Sequence, residues 1–136
     1  MGLSNRDRIG KALDELCDAL NPYILNQLNK NLPFNWESEL PPHSNNLKDI
    51  YILLGLFMSH WKNIFKKLLS DSDRAYISEL LEARNKWAHA EPMSSDDVDR
   101  YLDTAIRLCK NINAVDEAES IRRIREELRQ QVFSER

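Results

Sequence analysis

Three side chains in the stretch RNKWAH could do chemistry together: Arg84, Asn85 and His89. Arginine offers a permanent planar cation that can grip a phosphate with two parallel hydrogen bonds. Histidine gives and takes protons near neutral pH. Asparagine can orient either partner by hydrogen bonding. On a helical wheel of about 100° per residue, Arg84 falls in the middle of an apolar arc made by Ile77, Leu80, Leu81, Trp87 and Ala88. Asn85 and His89 fall instead on a polar line with Ser78 and Glu82, and they are close enough on that line to meet. A guanidinium stays charged, so burying it demands a partner. Two readings stay open. Arg84 forms an internal salt bridge to a carboxylate on a neighbouring helix, or the apolar arc is an interface or cleft wall where Arg84 meets an anionic ligand. Trp87 reads as a packing residue and Lys86, on the opposite side of the wheel, as solvated.

The helix carrying these residues is expected over about Asp73–His89, stopping before Pro92, with SDSD (Ser70–Asp73) as its start signal. Around it the pattern is helical throughout. A first helix begins at Ser4 as N-cap and carries Ile9, Leu13, Leu16 and Leu20. Asn21-Pro22 is expected to end or kink it, with a short second helix through Tyr23, Ile24 and Leu28. Lys30–Asn46 breaks the periodicity and reads as a long connection tucked onto the core by Phe34, Trp36 and Leu40. Leu47–Leu69 reads as one central helix, apolar over most of its circumference and therefore buried on several sides. Lys62, Lys66 and Lys67 near its end read as a solvated basic terminus. Ser94 and Asp97 have capping-box spacing before a helix carrying Val98, Tyr101, Leu102, Ile106, Cys109 and Ile112. A last helix starts near Asp116 and carries Ile121, Ile124, Leu128 and Val132. Its outer face is expected to pair Glu119 with Arg123, Arg122 with Glu126, and Arg123 with Glu127.

These elements define an all-α, up-and-down bundle of about five helices. The 136 residues suggest one domain, residues 1–136, long enough for a real core. The last apolar stripe runs nearly to the chain end, consistent with the domain being the N-terminal part of a larger protein. The net charge of -3 argues against a generally basic nucleic-acid coat but not against a local basic site. Cys17 and Cys109 are far apart and form no CxxC pair, so they are expected to be reduced thiols of a cytoplasmic protein. The longest apolar run, Ile50 to Met58, is far short of the about 20 residues that cross a bilayer, and the charged N-terminus is no signal peptide. His43, His60 and His89 show no metal-ligand spacing with one another or with the cysteines. No glycine loop is suited to cradle phosphate, so no cofactor is expected.

An Arg, a polar residue and a His five positions after the Arg, near the end of a helix in an all-α domain, resemble the HEPN motif. The likeness extends through ISELLEARNKWAHAEPMSSDDVDRYLDTAIRLC, with NPYI upstream and MSHWKNIF before it, over roughly Asn21–Leu128. This stretch is similar to the Swt-type branch, which includes the HEPN domain of a eukaryotic messenger-RNA surveillance endoribonuclease. Bacterial members of that branch often stand at the N-terminus of large ATPase or helicase-like proteins in phage-defence loci.

The resemblance implies a metal-independent endoribonuclease that acts as a homodimer, with motifs from two protomers meeting at one cleft. The ribose 2′-hydroxyl would attack the adjacent phosphate and leave a 2′,3′-cyclic phosphate and a 5′-hydroxyl. Arg84 would hold the phosphate, His89 would act as general base or acid, and Asn85 would orient His89 or a phosphate oxygen. The alternative is a non-catalytic RNA- or nucleotide-binding and dimerisation module of a larger ATPase or defence protein. A third option is a structural adaptor whose Arg84 is internally salt-bridged.

Overall fold

The computed structural model describes residues 2–40 and 47–135. Helix α1 spans Asn5–Asn31, α2 Ile50–Ser59, α3 Asp71–Ala88, α4 Ser95–Asn111 and α5 Val115–Ser134. Among the described residues there is no strand, and the all-α architecture is as the sequence implies. Helix α1 packs on all four other helices, and α4 with α5 forms the most extensive pair.

Three helices start where a serine caps them. Ser4, Ser70 and Ser94 each accept a hydrogen bond from a backbone N–H three residues on. At Ser70 the box is reciprocal, because the Asp73 carboxylate also accepts from the Ser70 N–H at 3.0 Å. The other oxygen of this buried carboxylate accepts from Asn111 Nδ2 at 2.6 Å, tying the start of α3 to the end of α4.

Two expected breaks fall elsewhere. Helix α1 runs through Asn21-Pro22 instead of stopping there. Pro22 lies on the exposed face, so the Asp18 carbonyl that loses its ladder partner can be hydrated. Asn21 is turned to structural use: its Nδ2 donates to the Leu47 carbonyl at 2.5 Å. The expected central helix Leu47–Leu69 is shorter, since α2 ends at Ser59 and a turn with one 3-10 segment, Phe65–Lys67, follows. Ser59 Oγ donates to the Gly55 carbonyl at 2.5 Å, a back-bond found where helices bend or stop. The turn still sends Trp61, Ile64 and Phe65 inward and Lys62, Lys66 and Lys67 outward. Phe65 packs at a tilt against Phe57 with ring centroids 4.4 Å apart, and Tyr23 of α1 completes the cluster.

In the connection after α1, Trp36 is buried, with its Nε1 donating to Asn29 Oδ1 at 2.9 Å, and Leu40 is half-buried. Phe34, expected on the core, is fully exposed. His43 lies outside the described residues. On α5, Glu119 pairs with Arg123 as expected and also takes two hydrogen bonds from Arg122. Glu127 is not spent on Arg123. It receives Nε and Nη2 of Arg8, a side chain that is 1% exposed on α1.

Asp99 of α4 is gripped by Arg125 and Arg129 of α5. Burial pushes the Asp99 carboxyl up, but the hydrogen bonds from both arginines outweigh it and hold it below the ordinary range. The hydrogen bonds from Arg8 likewise hold Glu127 low. A carboxyl lowered on folding contributes stability that is complete above its unfolded value and lost as pH falls through the folded one. Thermal melts should therefore be steady from about pH 7 to about pH 5 and decline progressively below that. A melting temperature that rises below pH 4.5, the ordinary glutamate value, would contradict these pairings.

Candidate RNA-processing site

The last two turns of α3 bring the candidate residues to one end of the bundle. The buried line of α3 is Asp73, Ile77, Leu80 and Ala83. Arg84 sits beside this line, half-buried, while Asn85, Ala88 and His89 are exposed. The apolar arc read from the wheel is thus rotated: Ala83 is buried, while Ala88, expected on the arc, is exposed.

Helix α2 packs on α3 with its first turn against the last turns of α3. Asp49 caps α2 by accepting from the Tyr51 N–H at 2.8 Å, which fixes the turn that carries the Tyr51 ring beside Arg84. The Arg84 guanidinium carbon lies 4.6 Å from the centre of that ring. Its Nη1 also donates to Asn85 Oδ1 at 3.4 Å. Among the described residues no carboxylate pairs with Arg84, so the internal salt bridge that the sequence allowed does not form. The guanidinium is steered by an aromatic face, and most of its five donors stay unspent.

His89 is the C-cap of α3, its N–H donating to the Asn85 carbonyl at 3.0 Å. Asn85 and His89 share one face, yet the Asn85 side chain bonds to Arg84, and no side-chain hydrogen bond joins it to His89. Helix α3 closes in a Schellman turn: the Ala90 N–H donates to Trp87 O at 3.2 Å and the Glu91 N–H to Lys86 O at 2.9 Å. Such a turn needs a left-handed residue, and Ala90 takes it at φ 53°, a conformation that costs a residue with a Cβ about 1–2 kcal/mol. Trp87 is half-buried and packs on Gly10, where any Cβ would come within 3.2 Å of its Nε1. Lys86, expected to be solvated, lies 3.7 Å from Glu82 and 5.8 Å from the centre of the Tyr101 ring.

Two features of the site were not legible in the sequence. Tyr51 carries no local marker as the support for Arg84, because their meeting depends on how α2 and α3 align. Arg6, whose Nη1 donates to the Trp87 carbonyl at 2.5 Å, is distant in sequence from everything it touches. Neither thiol competes as a nucleophile. Burial pushes Cys17 up to about 11 and Cys109 up to about 12, so both stay protonated at neutral pH. Among the described residues no group of three or more His, Cys, Asp or Glu side chains is placed to hold a metal ion. No helix among them is long and apolar enough to cross a membrane.

An all-α bundle of this kind fits a HEPN domain. The chain belongs to the Swt1-like HEPN family, whose profile matches residues 11–113 and so covers most of it, including all three candidate residues. No curated protein and no solved structure matches the chain significantly.

Proposed function

We propose that this chain is a metal-independent endoribonuclease built from two copies, with Arg84, Asn85 and His89 of each lining a shared cleft. The observation that carries the reading is the state of Arg84: half-buried, stacked on Tyr51, unpaired with any described carboxylate, and little more than one turn from the exposed His89. A cation held this way is free to take a phosphate. Arg84 binds two phosphate oxygens and stabilises the charge that builds on them. His89 takes the proton of the ribose 2′-hydroxyl as the 2′-oxygen attacks phosphorus. The bond to the 5′-oxygen breaks, and that oxygen is protonated by the second copy of His89 or by water. The products are a 2′,3′-cyclic phosphate and a 5′-hydroxyl. Asn85 orients the Arg84 fork. Family membership supports the chemistry, and the exposed Tyr51 ring and Ala88 beside the site suit a two-fold contact.

The charge balance favours a second reading. The net charge of -3 and the exposed Glu82, a turn before Asn85, weaken long-range attraction of RNA. On that reading the domain binds RNA or a nucleotide and dimerises on behalf of a larger ATPase or defence protein, without cutting. Incubating RNA with the chain in excess chelator separates the two. The enzyme reading expects cleavage that chelator leaves intact and His89→Ala abolishes. Retarded but intact RNA supports the binding module, and a strict monomer in solution contradicts the shared cleft.

A further inference from the structure

The turn that presents His89 is strained, and it is held from outside. Ala90, the next residue, occupies the left-handed region at φ 53° that glycine normally fills. The equivalent turn after α4 uses Asn113 at φ 65°, a residue that tolerates the conformation. The turn's own backbone hydrogen bonds, from the Ala90 N–H to Trp87 O and from the Glu91 N–H to Lys86 O, are joined by contacts from the first turn of α1. Arg6 Nη1 donates to the Trp87 carbonyl, which already accepts from the Ala90 N–H, so one oxygen anchors both the turn and the guanidinium. The same guanidinium lies 4.9 Å from the centre of the Trp87 ring. One residue earlier, Asn5 Nδ2 donates to the Met93 carbonyl at 3.1 Å, fixing the far end of the loop. The segment from Trp87 to Met93, with His89 inside it, is bracketed at both ends by adjacent residues of α1.

We propose that Arg6 is a positioning residue for His89: it clamps the Trp87 carbonyl and holds the Ala90 turn in the conformation that aims the imidazole into the cleft. This rests on the endoribonuclease reading for its effect on rate, but not for its effect on His89. A cation capping the negative end of a helix is also favourable in its own right, so the test must separate positioning from plain stabilisation.

The test uses the full chain as wild type, Arg6→Ala, and Arg6→Ala combined with Ala90→Gly. The readouts are kcat and KM for RNA cleavage and the imidazole NMR signals of His89 in the free protein. Arg6→Ala should lower kcat by about 10–100-fold with KM within about twofold, the signature of a misplaced group rather than a lost contact. The His89 signals should shift or broaden. Adding Ala90→Gly, which makes the turn conformation unstrained, should recover most of kcat and return the signals. A rise in KM alone would mean that Arg6 touches RNA, and it overturns the proposal. So does an Arg6→Ala variant with unchanged kcat and unmoved His89 signals, whatever its melting temperature. If the wild type cuts no RNA, the enzyme reading fails, and the His89 signals alone still decide the role of Arg6.

Discussion

Arg84→Ala should lower RNA cleavage by about 10²–10³-fold while leaving the melting temperature within a few degrees of wild type. The rate effect follows from what the guanidinium is asked to do. Removing one preorganised donor aimed at developing oxyanion charge typically costs about that factor. The small stability effect follows from what Arg84 touches. Its contacts are the Tyr51 ring, the Asn85 amide and solvent. A cation–π contact at a partly exposed site is worth about 0.5–1 kcal/mol, and no described carboxylate is orphaned by the truncation. Arg84→Lys keeps the charge but loses the planar fork, so it should fall between the two. Melting curves beside initial rates check the prediction. A variant that loses several kcal/mol of stability would mean that Arg84 is a structural cation after all.

Glu127→Ala should destabilise the bundle by about 3–5 kcal/mol, because it leaves a buried charge without its counter-ion. Arg8 is 1% exposed and gives two hydrogen bonds to Glu127, with Asn5 and Gln131 as neutral partners. The pair is asymmetric. Glu127 is 38% exposed, so water can hydrate it if the arginine is removed, whereas Arg8, at 1%, is shielded from solvent. Arg8→Met, which removes the buried charge and keeps much of the volume, should therefore be milder than Glu127→Ala. In a domain of this size the loss of about 3–5 kcal/mol lowers the melting temperature of the glutamate variant by about 10 °C or more relative to wild type. Denaturant unfolding of both variants measures it, and the reverse order would refute the burial argument.

Local signals survived folding well. The serine caps at Ser4, Ser70 and Ser94 were legible because a cap is made within a few residues of itself. Pro22 misled for the opposite reason: its penalty depends on whether the freed carbonyl reaches water, which only the tertiary arrangement decides. The apolar stripe through Leu47–Leu69 hid the end of α2, since Trp61, Ile64 and Phe65 keep helical spacing in the core although the backbone there is a turn. At the site, the types and spacing of Arg84, Asn85 and His89 were readable, and their placement together at one helix end was too. The partners were not. Arg6 and Tyr51 look like ordinary surface or core positions until α1 and α2 dock on α3. The expected place of Arg84 in the middle of the buried arc shifted to its edge, because the line that packs inward runs through Ile77, Leu80 and Ala83 and leaves Ala88 exposed.

Whether the end of α3 cuts RNA by 2′-hydroxyl attack, using this chain's own side chains, is tested most directly by the chemistry of the RNA ends. The measurement is the identity of the ends produced by wild type, Arg84→Ala and His89→Ala in excess chelator. Wild type should give 2′,3′-cyclic phosphate and 5′-hydroxyl ends, Arg84→Ala should give them about 10²–10³-fold more slowly, and His89→Ala should leave the RNA intact. Ends bearing a 5′-phosphate, or equal cleavage by all three proteins, would contradict the proposed chemistry.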